Sequence, residues 1–516
     1  MENTSIKRRL VMGAIGLCAL LGAGSALAQK SAMTLRMPLE DPIRTIDELH
    51  DPKPENTMLS SALYNSLVSY DSRAATFRPA IAKSWKRIDP TTIEFQLRDD
   101  LTWHDGQKIT ADDAVNLVNW AVHPDTKFQR KNVFSFLKAA EKTGPYTLRL
   151  VTAAPTAVDL IMLAQVIPIY PDHVFGKLED RSAYGRNPVG SGPYKAVKVD
   201  RNTGIVAEKW KDYRLYGYDR RESNIQRLIA LPINDQQTRV AQFITGNIDM
   251  VRDLSPDQAR ALIADPRFRL TVSDGLTVAF VQLDASGRTG RKELQDPRVR
   301  QAIHMAIDRQ AIATGVLWGG GKARPLDALC VKAMIGCEYT TKPVPYDPAA
   351  ARKLLAEAGY PDGFELAVFA TTGRNGRTAE AVAGYLAAVG IKPSVQVMNF
   401  PTLLRFQRDG KLEAYVATFP TAISDVHVLM DRFFTPGRRD FTGDPVMNQL
   451  RDQGEATDDL AKRREIYRQA LDRSNTNNYV LPLSNVPLIF THVADLTIAE
   501  GSLGAYGAEV YDFNWK

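Results

Sequence analysis

The stretch Asp296 to Gly315, DPRVRQAIHMAIDRQAIATG, carries both of its own boundaries. Asp296 can accept hydrogen bonds from the free amides of a first helical turn. Pro297 takes the first helical position, where a missing N–H costs nothing. Val299, Ile303, Ala306 and Ile307 fall at i, i+4, i+7 and i+8, one face of a helix, and Arg300, His304, Asp308 and Arg309 lie mostly off it. Gly315 is the predicted stop. The same grammar returns in YDPAAARKLLAEAGYPDGFEL, Tyr346 to Leu366. There Asp347 caps, Pro348 starts, Ala351, Leu354, Leu355 and Ala358 make one face, and Gly359 ends the helix. Taken alone, these are amphipathic core helices without chemistry.

A chain of 516 residues suits two or more lobes. Its first 28 residues stand outside the fold. Lys7, Arg8 and Arg9 form a basic start, Leu10 to Gly24 is apolar or small, and Ala26-Leu27-Ala28 presents small residues to a signal peptidase, with cleavage before Gln29. Cys18 follows Leu17 rather than a small residue, so no lipid anchor is expected. No later segment has the roughly 18 unbroken apolar residues of a membrane helix. Loss of Lys7, Arg8, Arg9 and Glu2 takes the formal charge from +6 to +4. That balance is mild, and no basic run with interleaved aromatics points to nucleic acid. Cys330 and Cys337 remain after processing. In an oxidising compartment this pair can close a small loop, and CVKAMIGCEY offers no further His or Cys to make a metal set.

Enzymatic motifs fail on inspection. Gly190-Ser191-Gly192 is followed by Pro193 and lacks the G-x-S-x-G spacing of a nucleophile elbow. LWGGGKARP, Leu317 to Pro325, has Val316 where a phosphate loop needs its first Gly, and Ala323 after Lys322. His104 sits in a hairpin turn beside Asp105-Gly106, which gives it a structural role. Thr110 and Asp113 form a near-capping box at the head of ITADDAVNLVNWA. Ile93, Phe95 and Leu97 alternate inward as a half-buried strand does.

Several words then fall into a known order. VRQAIHMAIDR resembles the VRxAxxxAIDR segment of the family 5 extracellular solute-binding proteins, the peptide, nickel and opine receptors of ABC importers. LYNSLVSYD is similar to the family's YExLxxxD, PAIAKSW to PxLAxSW, and NPVGSGPYK to PVGTGPY with Ser191 in place of Thr. GNIDM matches a GEID step, and Tyr346 to Leu366 coincides with YDPxxAxxLLxEAGYxxGFxL. The matches run from about residue 35 to 490 in family order. The resemblance implies two α/β lobes of the periplasmic-binding-protein kind, joined by two crossings, with an extra inserted subdomain and a ligand cleft between them. On that scheme residues 29–280 form lobe I with the inserted subdomain at about 63–184, residues 281–485 form lobe II, and 486–516 return to lobe I.

It also implies a function: reversible capture of a small ligand, foremost a short peptide, in the periplasm, and delivery by a monomer to a membrane permease and its ATPase. No catalysis and no cofactor are implied. In TFPTAISDVHVLMDRFF, peptide receptors carry a pattern like Asp-x-x-acidic-Pro. With Asp425 as the acidic residue, Ala422 stands where the first Asp should be and Val426 replaces the Pro. Nickel-chelate members have Ala there and a His two residues after the second Asp, where this chain has His427. His427 is therefore a metal ligand under that alternative alone. Arg374 and Arg377 lie in the loop where some dipeptide receptors grip the ligand carboxylate, a task that suits a guanidinium. Trp318 and Phe419, with Trp103 and Tyr415, supply aromatic surface for a pocket. Metal-chelate or opine-like solutes are the alternatives within the family, and a secreted hydrolase is the rival outside it. Intact-mass measurement of the exported protein should give a chain beginning at Gln29. A mass that retains Met1 to Ala28 would refute the leader.

Overall fold

A computed structural model describes residues 33–499 and 508–516, apart from 41, 72–73, 75, 216–221, 253, 422 and 438. The leader, Cys18 and Ala422 lie outside the described residues.

Lobe I is built on the strands Thr34–Leu39, Arg227–Pro232, Gly204–Lys209 and Tyr194–Asp200, in that spatial order. The first two run parallel and the others antiparallel. A second sheet places Leu488–Val493 between Met250–Arg252 and Phe268–Ser273. The inserted part is an antiparallel sheet of Ala82–Asp89, Thr92–Leu97, Thr147–Thr152 and Leu137–Gly144. Ile93, Phe95 and Leu97 are buried as their alternation predicts. Helix Ala111–Val122 lies beside this sheet, and the Thr110 N–H donates to the Asp113 carboxylate at 2.8 Å.

The NPVGSGPYK turn is shaped by steric exclusion. A Cβ on Gly190 would lie 1.9 Å from the Leu63 carbonyl oxygen, and one on Gly192 would lie 2.4 Å from that of Ala62. His104 staples this turn. Its Nδ1 accepts from the Gly190 N–H at 3.1 Å, so its Nε2 donates to the Gly192 oxygen at 3.0 Å. Only a neutral imidazole satisfies both bonds. Burial lowers its pKa to about 4. The Ser191 hydroxyl accepts from the Asn65 N–H at 3.3 Å.

Lobe II is one five-stranded sheet in the order Lys392–Met398, Glu365–Thr371, Ala414–Phe419, Val278–Leu283, Val480–Asn485. Only Val278–Leu283 runs against the rest. Apolar clusters cover both faces. One draws on helices Pro297–Ala306, Pro348–Glu357 and Arg374–Ala388. The other draws on Phe400–Arg408, His427–Phe434, Pro445–Glu455 and Leu460–Thr476. Two faces buried by helices explain why the central strands read as apolar runs.

The helix expected to run from Asp296 to Gly315 is broken. Asp296 caps it by accepting from the Arg298 N–H at 2.8 Å, but Ile307 turns extended at φ −99°. Asp308 then caps a second turn by accepting from Ala311 N–H at 2.9 Å, and the coil continues past Gly315 to Leu317. The mid-sequence Asp is a fresh N-cap, which outweighs the apolar periodicity across it. Arg309 donates to the Leu326 and Pro482 carbonyls at 2.5 and 3.2 Å, tying this corner to the last strand. The second helix keeps its reading: Asp347 accepts from Ala350 N–H at 2.9 Å, and Gly359 is left-handed at φ +96°.

The chain leaves lobe I after Ser273 and enters the lobe II sheet at Val278, then returns between Asn485 and Leu488. Val278, Ala279 and Phe280 pair with Phe419, Thr418 and Ala417. Strand Phe513–Trp515 pairs with Leu496–Ile498 on lobe I, and the Trp515 indole N–H donates to the Thr34 oxygen at 3.2 Å.

A fully buried ion pair fixes the lobe II segment that follows strand Ala414–Phe419. Arg463 donates through both terminal nitrogens to the two Asp425 oxygens, each at 2.7 Å. Burial disfavours the guanidinium charge, yet the adjacent carboxylate keeps its pKa above the ordinary value. Arg463→Ala would strand a desolvated carboxylate and should cost about 3–5 kcal/mol in denaturant unfolding. A loss under about 1 kcal/mol would show the pair to be dispensable. His304 supplies a second check. Burial, with Arg300 and Arg309 nearby, lowers its pKa to about 3. The unfolded chain therefore takes up the proton first, and this contribution is complete above about pH 6.5 and lost as pH falls below it. The stability of the native protein relative to His304→Asn should thus decline by up to about 1.4 kcal/mol per pH unit below pH 6.5. A difference independent of pH would contradict the buried neutral state.

Candidate functional site

Both crossings and the ends of the parallel strands share one edge of the lobe II sheet. Val278 pairs with Phe419 and with Asn485, so the chain enters and leaves lobe II beside the C-terminal end of Ala414–Phe419. Thr371 ends its strand at the same edge. The loops after Thr371 and Phe419 thus face lobe I, the place where α/β sheets bind ligands.

A cavity of about 310 Å³ lies there. Lobe I contributes Gln236, Leu254, Ser255, Pro256, Gln258 and Ile489, and lobe II contributes Val316, Leu317, Gly373, Arg374 and Arg377. Gly373, at φ +75°, turns the chain into helix Arg374–Ala388. Arg374 and Arg377 stand one turn apart in that helix's first turn. Its N-terminal end adds partial positive charge to theirs, and among the described residues that line the cavity none is a carboxylate. On lobe I, Ser255 caps helix Pro256–Ile263 in a reciprocal pair with Gln258, both bonds at 3.3 Å. The Gln236 amide donates to the Gln258 side-chain oxygen at 3.2 Å. The site is thus cationic on one wall, with neutral amides and apolar surface around it. It can hold an anionic group.

The remaining expected residues are placed differently. Trp318 does not line the cavity, although Val316 and Leu317 do. Its backbone is left-handed at φ +48°, and its ring lies under the Arg260 guanidinium of lobe I at 4.7 Å. The glycines beside it serve this approach: a Cβ on Gly320 would lie 2.4 Å from the Val272 side chain, and one on Gly319 2.7 Å from Pro487. LWGGGKARP is a lobe-to-lobe contact. Phe419 is half-buried at its strand end, with Arg432 5.8 Å from its ring centre. Trp103 and Tyr415 are core.

Asp425, expected among the ligand-facing residues, is fully buried and paired with Arg463. Its oxygens are occupied by Arg463, and one also accepts from the His427 N–H at 2.8 Å. His427 begins helix His427–Phe434, and its Nδ1 is buried without a hydrogen-bond partner. With Asp425 occupied, His427 is a lone imidazole. Among the described residues no three His, Cys, Asp or Glu side chains come together as a metal site. Cys330 and Cys337 are bonded, with Cα atoms 5.8 Å apart. Their loop braces the Asp425 segment: Ile335 N–H donates to the Ser424 oxygen at 2.9 Å, and Val426 N–H to the Ile335 oxygen at 3.0 Å.

Sequence reasoning missed the lobe I wall. The S-P-D-Q capping signature at Ser255 was readable as a helix start, but nothing local marks it as facing a cleft. Arg463, 38 residues from its partner Asp425, carried no signal either.

Comparison with known proteins gives the family and the fold. The pattern for bacterial extracellular solute-binding proteins, family 5 Middle, matches residues 76–441. The glutathione-binding protein GsiB of Salmonella paratyphi A is 26% identical over 401 residues, covering 75% of this chain and 73% of the relative. The periplasmic binding protein DppA of Helicobacter pylori, solved with the peptide STSA, superposes with a TM-score of 0.74 at 21% identity, covering 93% of this chain and 98% of that one. NikZ of Campylobacter jejuni, solved with Ni(L-His), gives a TM-score of 0.76 at 20% identity, covering 94% of this chain and all of that one, 100%. With a match spanning well over half its length, the chain belongs to the family 5 bacterial extracellular solute-binding proteins, which bind substrates for ABC importers and are not enzymes.

Proposed function

We propose that this protein captures a short, carboxylate-bearing peptide in the periplasm and presents it, with the lobes closed, to the permease and ATPase of an ABC importer. The observation that carries the peptide reading is the placement of Arg374 and Arg377 at a helix N-terminus on the lobe II wall of the interlobe cavity. Guanidinium groups match a carboxylate in shape and charge, and partial exclusion of water by the two lobes strengthens the attraction. Size points the same way. About 310 Å³ lies at the lower end of the roughly 300–1,000 Å³ of small-ligand pockets, which favours di- and tripeptides over long chains. Glutathione, a tripeptide with two carboxylates, is the first probe to use, and a relative that binds it adds weight. Nickel–histidine has less support, because Asp425 is occupied and His427 stands alone.

Calorimetry of the mature protein with glutathione, trialanine, trialanine amide and nickel–histidine separates these readings. We expect a free-acid peptide to bind, its C-terminal amide to bind at least about tenfold more weakly, and Arg374→Ala with Arg377→Ala to lose about 1.5–3 kcal/mol, the worth of a charged hydrogen bond. Binding of trialanine and its amide with equal affinity would refute the carboxylate grip. Binding of nickel–histidine alone would move the ligand to metal chelates.

A further inference from the structure

We propose that Gln165 of lobe I and the Ile423-Ser424 step of lobe II form a clasp that holds the lobes together around the ligand, making Gln165 a positioning residue for capture. The proposal rests on the reading of a ligand enclosed between the lobes. Gln165 ends helix Asp159–Gln165 in lobe I, far in sequence from its partner. Its side-chain oxygen accepts from the Ser424 N–H at 2.9 Å, and its side-chain amide donates to the Ser424 hydroxyl at 3.1 Å. A carboxamide offers an acceptor oxygen and a donor N–H side by side on one carbon, and both are used here on one residue. Ile423 accompanies this contact by packing against the apolar cluster of lobe I. Ser424 is fully buried.

What distinguishes this contact from a chance meeting of two surfaces is its support. On the lobe II side the groups next to Ser424 are themselves bonded. The Ser424 oxygen is held by Ile335, within the loop closed by Cys330 and Cys337. Asp425 is held by Arg463, which also donates to the Gly454 oxygen at 3.0 Å. The hook is therefore rigid before it meets lobe I, and little order has to be gained on closing. A second inter-lobe bond joins Ala157, in the segment leading into the Gln165 helix, to the end of helix Pro445–Glu455: the Ala157 N–H donates to the Glu455 oxygen at 2.9 Å. In the open state water can replace both Gln165 bonds, which keeps the clasp reversible.

The Ser424 amide proton reports on the clasp directly, because its partner belongs to the other lobe. Hydrogen exchange should be followed in the full mature protein, in Gln165→Met, which keeps the side-chain length and removes both bonds, and in Gln165→Glu, which keeps only the acceptor. We expect Ser424 exchange to rise about tenfold in Gln165→Met and less in Gln165→Glu, with Ile335 and Val426 amides still protected. Glutathione affinity should fall about five- to tenfold in Gln165→Met, through faster release. Equal Ser424 exchange in the native protein and Gln165→Met overturns the clasp. Loss of protection at Ile335 and Val426 as well would show Gln165 to support the fold generally, which also overturns it. Absence of glutathione binding by the native protein counts against the peptide reading alone, since the exchange comparison without ligand still decides the clasp.

Discussion

The buried pair of Asp425 and Arg463 is the constraint on which the ligand-facing edge of lobe II depends. Two charges removed from water are tolerated only when geometry is close to ideal and remaining hydrogen-bonding capacity is filled. Here the contact is two-pronged, the carboxylate also takes the His427 amide, and the guanidinium also reaches the Gly454 oxygen and the Tyr467 hydroxyl. These bonds join a loop to helix Leu460–Thr476 and set the position of the whole segment from Ile423 to His427. They also occupy both oxygens of the one carboxylate in that segment. Among the described residues that line the cavity, the charged ones are Arg374 and Arg377.

The two lobes are unequal partners in the resulting site. Lobe II supplies charge from a helix start that is fixed by Gly373 and by packing of Arg374–Ala388 on the sheet. Lobe I supplies neutral amides, already bonded to one another through Gln236, Ser255 and Gln258. On the proposed function, such an arrangement separates attraction from fit: the cationic wall would draw an anion, and the amide wall would meet it on closure. Trp318 under Arg260 and the glycines packed on Val272 and Pro487 keep the lobes in register beside the returning crossing.

Much of the fold was legible because its signals are local. Asp296-Pro297 and Asp347-Pro348 mark helix starts by backbone chemistry alone, and the glycines of NPVGSGPYK announce a close approach that the structure places against Leu63 and Ala62. His104 read as structural, and the turn it staples explains why. The site was less legible because its causes are distant in sequence. Asp425 looked like a ligand residue until Arg463 was seen beside it. The break at Ile307 escaped notice because apolar spacing continues through it, while the competing cap at Asp308 shows only once the chain bends. Cavity residues such as Ser255 and Ile489 come from stretches that read as ordinary helix and strand.

One consequence follows from the strand Phe513–Trp515. Lobe II is continuous in the chain and its sheet is complete once Val480–Asn485 has been made. Lobe I has no such independence. Leu488–Val493 must arrive to sit between its two partners, the Ser223 hydroxyl donates to the Phe513 oxygen at 2.5 Å, and the Trp515 indole closes onto Thr34. The lobe that holds the first strand, Thr34–Leu39, is thus the last to be finished, because its folding waits on strands contributed from far along the chain, after lobe II has its full sheet.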